Sequence, residues 1–269
     1  MVANVPFLRQ SQGNYIYNNL SGTLTYNLSR LWTLSLNNTW EYWSYDIAAT
    51  ADQEDRNMYS PLIALNYILS PSTTLGLNFR LGVVDYRNPG LGNAKNSTSE
   101  NAFLSVTHLF NPQLSGNISL GGGVTELGDG HSTSSPYFSS GLSYRYSSKG
   151  SLNVGASYFL YTADTAGYRT SETLATYMQV SQAITPKLSS SLTLNYVYNV
   201  YANPDPTIAA TTTLTEPATR AWIVTMGLSY GFTRWLSADL TYTFNLNGSD
   251  LPGSSYHRNR IGAGMRFTY

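Results

Sequence analysis

The stretch "ITPKLSSSLTLNYVY" spans residues 184–198 and carries two messages. In its second half Leu192, Leu194, Tyr196 and Tyr198 share one parity, while Ser191, Thr193 and Asn195 share the other. Alternation with period 2 describes a strand with one apolar and one polar face. Its first five residues form a phrase that the chain repeats with variations: "LSRLW" (28–32), "FNPQL" (110–114) and "FTRWL" (232–236). Pro pre-sets φ for a turn, and Ser, Thr or Asn bonds nearby backbone, so each phrase reads as a tight connection. Across the short connections the flanking apolar residues stand four or six apart, as in Leu28 and Trp32, Leu69 and Leu75, Phe110 and Leu114, or Tyr146 and Leu152. An even spacing keeps the apolar face on the same side through the turn; an odd spacing would swap it.

Working outward, the same alternation covers nearly the whole chain. Gly22, Leu24, Tyr26 and Leu28 oppose Ser21, Thr23, Thr25 and Asn27. Leu75, Leu77, Phe79, Leu81 and Val83 form another apolar face, and Trp222, Val224, Met226, Leu228, Tyr230 and Phe232 a later one. The final strand presents Ile261, Ala263, Met265, Phe267 and Tyr269. The opposite faces are mostly Ser, Thr, Asn and Gly, with the charges Glu41, Arg80, Arg145, Asp239, Arg260 and Arg266.

Composition agrees. Charged residues are 11% of the chain, well under the roughly 25% usual for soluble domains. Mean hydropathy is nevertheless −0.22, and no run of about 18 apolar residues exists, which excludes a helical span. Alternation reconciles the two: no window is hydrophobic, yet one whole face is. Lys+Arg and Asp+Glu are 15 each, so the clustered positive charge that nucleic-acid binding demands is missing. With Cys at 0 there are no disulfides, thiolate metal sites or c-type haem attachments.

The other ends of the strands join through longer polar segments at 46–57, 86–99, 127–136, 162–171, 201–219 and 248–257. Short turns at one end and long loops at the other describe an outer-membrane barrel, with its turns in the periplasm. A propeller also repeats at about 40 residues, but a blade packs four short strands into that length. Here each repeat holds two strands of the length a tilted membrane crossing needs.

The chain resembles the bacterial outer-membrane β-barrel family, the porin-like proteins, through this alternation, the turn phrases and the ending "GAGMRFTY" (262–269). The resemblance implies that Gly264, Met265, Phe267 and Tyr269 form the signal read by the barrel-assembly machinery, although the family usually ends in Phe. It also implies location in the bacterial outer membrane, with lipid as the principal surroundings.

Thirteen strands can be counted from Tyr15 onward, and bacterial single-chain barrels normally have an even number. The expected fold is therefore an all-β transmembrane antiparallel up-and-down barrel of 14 strands, with residues 2–11 as the missing strand, or else of 12. Residues 1–269 read as a single barrel domain, or as the C-terminal barrel of a longer chain. "MVANVPFLRQ" (1–10) lacks a signal-peptide pattern, so export implies a signal already removed.

Catalytic chemistry is not expected. His108 lies on the lipid parity near a turn, while His131 and His257 fall in outer loops. "GDGHSTSS" (128–135) sets Asp129, His131 and Ser132 side by side, but adjacency in a loop supplies no nucleophile–base geometry. "GVTELGDG" (123–130) and "SDLPG" (249–253) read as turn chemistry rather than metal loops, and no cofactor is expected. "LGGGV" (120–124) reads as a bulge or bend. The lumen charges are candidate selectivity groups, or else pairs that brace the wall. The leading function is a channel passing small polar solutes or assisting export. The alternatives are a structural barrel that sheathes or anchors a partner, with a protein or plug in the lumen, and a hydrolase using a loop histidine.

Overall fold

The structure is a computed structural model that describes residues 14–87, 96–162, 168–204, 216–251 and 253–267. Its strands are β1 (Tyr15–Asn27), β2 (Trp32–Tyr45), β3 (Arg56–Tyr59), β4 (Leu62–Ser70), β5 (Thr73–Tyr86), β6 (Ser97–Asn111) and β7 (Leu114–Leu127). They continue as β8 (Ser132–Ser147), β9 (Gly150–Thr162), β10 (Tyr168–Ala183), β11 (Leu188–Pro204), β12 (Ala218–Gly231), β13 (Leu236–Ser249) and β14 (Tyr256–Phe267). One short helix, α1 (Ala48–Glu54), sits in the first outer loop. No helix among the described residues is long and apolar enough to cross a membrane; the strands do the crossing.

All fourteen strands form one antiparallel sheet in chain order. β3 and β4 share one place in it, both lying between β2 and β5. The interruption falls at Ser60 and Pro61. Proline has no N–H to give a ladder, so the strand breaks there. The wall stays closed at the break because the Ser60 N–H donates to the Thr39 carbonyl at 2.8 Å and the Leu81 N–H donates to the Pro61 carbonyl at 3.0 Å. The fourteenth strand in the sheet thus comes from this division. Residues 2–11, where the sequence places a further strand, lie outside the described residues.

The register pairs like faces. Leu24 stands opposite Leu36, Leu77 opposite Leu104 and Val224 opposite Phe244; on the other face Ser119 meets Ser139 and Thr225 meets Thr243. The apolar face is the exposed one: Leu104 is 64% exposed while lumen-facing Thr173 is 1% exposed. A surface this apolar around the circumference is the reverse of a soluble protein and requires lipid as its solvent.

The repeated phrase has one physical cause at every turn. Thr185 Oγ1 accepts from the Lys187 and Leu188 N–H groups at 3.2 and 3.0 Å, while the Ile184 N–H donates to the Leu188 carbonyl at 2.8 Å. Ser29 Oγ does the same for Leu31 and Trp32 at 3.2 and 3.1 Å, and Asn111 Oδ1 for Gln113 and Leu114 at 2.8 and 2.9 Å. Thr233 repeats it for Trp235 and Leu236. The second residue of the phrase is the turn's own acceptor for N–H groups that the ladder leaves over.

Two expectations are corrected. The outer loops are shorter than the sequence suggests, because β8, β10 and β11 run on into residues 132–136, 168–171 and 201–204. The glycines of 120–124 form no bulge: the β6–β7 ladder keeps its register through them and shifts only between Leu109 and Asn111. At Gly121 and Gly123 the cause is close approach, since a Cβ at Gly121 would overlap Phe103 and the Ala102 carbonyl and one at Gly123 the Asn101 side chain. The one buried hydrophobic cluster of the described residues is small, Tyr168 with Tyr201 and Leu251 against them, at the outer end.

Candidate functional site

The candidate site is the inner face of the sheet. The ladders place all six charges expected there on the polar parity: Glu41 with Asn19, Arg80 with Asn101, Asp239 with Ser229 and Gly264, Arg260 with Thr243, Arg266 with Ser237, and Arg145 beside Ser143, which pairs with Asn153. They do not form one ring. Arg266 and Asp239 approach to 3.9 Å, with Arg266 73% exposed. Glu41 accepts a hydrogen bond from Asn19 Nδ2 at 3.2 Å. Arg80 stacks over Phe103 and Tyr137, 5.6 and 5.9 Å from their ring centroids, a cation–π arrangement that holds the charge without an acid. Among the described residues Arg145 and Arg260 have no ion-pair partner.

Arg145 and Asp239 line a recess of about 480 Å³ at the inner end of the lumen, with Ser151, Ser181, Ser191 and Ser229 around it. Higher up on the same side the lumen face is packed: Ala175, Val197, Ile223 and Asn245 are all under a tenth exposed. Along β8–β13 the polar recess thus lies at the periplasmic end and the packed part of the face above it.

Several lumen residues were not anticipated. Arg258 shares the parity of Arg260 and pairs with Asn245; the expected loop ended beside it, which hid it. At the outer mouth Tyr17 and Trp43 lie 4.2 Å apart, Tyr15 packs on Trp43 and Tyr45 at 5.5 and 5.7 Å, and Arg56 stacks over Trp43 at 5.5 Å. Phe103 and Tyr137 form a second pair at 4.6 Å, over Gly121. The readable signal was an aromatic on the parity otherwise held by Ser and Thr.

Aromatic residues gather near both ends of the strands. At the inner end Trp32 packs on Tyr67 at 4.8 Å and Trp235 stacks on Phe267 at 6.3 Å. At the outer end Arg87 covers Tyr42 at 4.2 Å and Arg220 covers Tyr198 at 5.5 Å. Tyr242 donates to Asn259 at 2.7 Å. Rings with a polar tip suit the boundary between hydrocarbon and headgroup.

His108 Nδ1 meets Thr73 Oγ1 at 2.9 Å near an inner turn, and its ring edges onto Phe110. His131 Nδ1 meets Asp129 at 2.9 Å, but His131 is 78% exposed and the carboxylate also pairs with Arg169 at the start of β10. This cluster ties the β7–β8 loop to β10. His257 stands opposite Leu246 on the lipid parity. Gly130 and Gly253, with φ of 85° and 75°, account for the turns in the two candidate metal loops. Among the described residues no group of three or more His, Cys, Asp or Glu could hold a metal ion. Of the residues expected to form an assembly signal, Gly264 and Phe267 pair with Asp239 and Leu236 and Met265 with Ala238; Tyr269 lies outside the described residues.

An apolar exterior, a polar interior, inner turns and outer loops define a porin-like β-barrel of the bacterial outer membrane. The chain belongs to the family described as "Putative beta-barrel porin 2", whose model matches residues 19–269. Among solved structures it is similar to the FrpB iron transporter from Neisseria meningitidis in its apoprotein form, with a TM-score of 0.56 and 12% identity over 87% of this chain and 44% of that one. It is also similar to the copper transporter OprC, with a TM-score of 0.55 and 12% identity over 94% of this chain and 49% of that one. The chain spans less than half the length of these transporters, and at such identity the likeness shows the fold alone. No curated protein matches.

Proposed function

We propose that the chain is a passive outer-membrane channel for small polar solutes, with a mild preference for anions, and that it catalyses no reaction. The observation that carries this reading is the pair of unpaired lumen arginines, Arg145 and Arg260, on a wall of small polar residues. Serine and threonine hydroxyls replace part of a solute's hydration without binding it tightly, and fixed positive charge raises the local anion concentration. Asp239 is offset by Arg266, and Glu41 alone stands against Arg80, Arg145, Arg258 and Arg260, so the balance of lumen charge is positive. The test is conductance of the purified protein in planar bilayers under a KCl gradient. A stepwise current with an anion-selective reversal potential is the expected result; a barrel that inserts and passes no current would leave the structural, anchoring role in its place.

A further inference from the structure

We propose that the outer mouth of the barrel carries a binding site for neutral sugars, built on the lumen wall where β1, β2, β3 and β5 lie side by side. The inference deepens the channel reading and rests on it for the sugar's passage, though not for its binding. Register assembles the site. Tyr17 stands opposite Trp43, Trp43 opposite Arg56 and Arg56 opposite Tyr86, so four strands contribute one row of side chains on the lumen parity. Three strand spacings make the row about 14 Å long, room for a short oligosaccharide. Tyr15 and Tyr45 face each other one rung above it, and Asn19 and Glu41 one rung below.

This row departs from the rest of the lumen. The chain has 5 Trp. Trp32, Trp40 and Trp222 lie on the lipid parity and Trp235 in an inner turn, so Trp43 alone faces inward. An indole and two phenols gathered on the wall of an aqueous passage are apolar surface that a ligand can cover. Tyr15 and Tyr17, beside Trp43, are 54% and 41% exposed.

Geometry and charge select the ligand. The Tyr15–Trp43, Tyr15–Tyr45 and Tyr17–Trp43 pairs meet at 33°, 44° and 39°. Such shallow angles join the rings into one curved surface, whereas a cage around an organic cation sets its rings as steep walls. The Arg56 guanidinium also lies over Trp43 already, 5.5 Å from its centroid, and repels a second cation. An anion is disfavoured as well: Arg56 is paired with Glu54 at 3.1 Å, while Glu41 has no ion-pair partner among the described residues. A neutral ligand with an apolar face and hydroxyls around its edge fits. The C–H groups of a sugar ring suit the negative face of an aromatic. Asn19 Nδ2 donates to Tyr17 Oη at 3.1 Å and to Glu41 Oε1 at 3.2 Å, which directs the amide and carboxylate oxygens of this rung to accept from sugar hydroxyls.

The wall is fixed in advance. The Tyr45 N–H donates to Asp55 Oδ1 at 2.7 Å and Ser44 Oγ to Asp55 Oδ2 at 3.1 Å, and Arg56 and Glu54 are each 13% exposed. Side chains already ordered cost little to order on binding.

The purified barrel in detergent is titrated with maltotriose and with cellotriose, followed by tryptophan fluorescence and calorimetry. The same sugars are then added to the protein conducting KCl in planar bilayers. Saturable binding of at least one sugar, with interruption of the current, is expected. Trp43→Ala and Tyr17→Ala should each weaken binding about tenfold, Glu41→Gln should weaken it several-fold, and Trp222→Phe should leave it unchanged. Folding of each variant is read from heat-modifiable migration on cold SDS gels. If Trp43→Ala does not fold, Glu41→Gln carries the test, since it keeps the shape and removes the carboxylate. A barrel that conducts KCl and binds neither sugar overturns the site and leaves the channel; one that binds sugar and passes no current keeps the site and overturns the channel. Sugar binding undiminished in the folded variants, or saturable binding of choline chloride with none of either sugar, also overturns the inference.

Discussion

Phe103 and Gly121 face each other across the β6–β7 ladder, and the Ala102 carbonyl with the Phe103 Cα and Cβ occupies the space where a side chain on β7 would begin. Tyr137 closes the same gap from β8, its centroid 4.6 Å from that of Phe103. An aromatic laid over a strand glycine covers backbone that would otherwise lose packing. Gly121→Ala should therefore lower stability by about 1–3 kcal/mol through overpacking. Gly22→Ala, where a Cβ meets nothing within 4 Å, should change little. Urea midpoints of the two variants folded in detergent give the comparison; equal midpoints would contradict it.

Thr185→Ala removes the acceptor for two turn N–H groups and should destabilise by about 1 kcal/mol, the net worth of such bonds at an exposed site. Thr185→Ser keeps the oxygen and should recover most of it. The readout is again the urea midpoint, with unfolding rates separating a turn formed early from one formed late.

Charge reversal in the lumen should act on selectivity and leave folding intact. Arg145→Glu and Arg260→Glu should each move the reversal potential towards cations, and the double variant should invert the preference. Arg80→Glu should also disturb folding, because it removes a guanidinium stacked on Phe103 and Tyr137. Selectivity unmoved by Arg145→Glu and Arg260→Glu would remove these residues from the pore's function.

Asp129→Asn should loosen the β7–β8 loop, because it strips the carboxylate from Arg169, whose side chain is 7% exposed. A loss of about 2 kcal/mol is expected, read as faster amide exchange at the start of β10. His131→Ala should be nearly silent, its side chain being 78% exposed.

Phe267→Ala should slow assembly in cells, with unfolded chain accumulating in the periplasm, because the residue closes β14 against Leu236 and stacks on Trp235. Tyr269→Phe should assemble at least as fast as the parent. Normal assembly of Phe267→Ala would withdraw the C-terminal residues from the role of assembly signal.

The wall was readable from the sequence because lipid and lumen impose opposite chemistry on alternate residues. Leu24, Leu77 and Val224 reported their face directly, and the acceptors Thr185 and Ser29 marked the inner turns. Parity does not report what neighbours do to each other. Arg80 was visible as a lumen charge, but its support by Phe103 and Tyr137 depends on three strands coming into register. The Tyr17–Trp43 contact at the mouth likewise joins two strands, and each aromatic alone looks like an exception to a polar face. Pro61 was in view, but whether it ends a strand or merely interrupts one depends on Thr39 and Leu81 accepting and donating beside it.

The inner turns have one more consequence. Each closes on its own side chain, meets its neighbour only through main-chain bonds such as the Leu109 N–H to the Ser72 carbonyl, which any side chain permits, and returns the chain on the same parity it entered with. A hairpin is thus an interchangeable part: one can be duplicated or lost as a unit without turning any later strand inside out. Ancestral barrels built this way could change circumference by whole hairpins in single genetic events, while the loops above diverged independently.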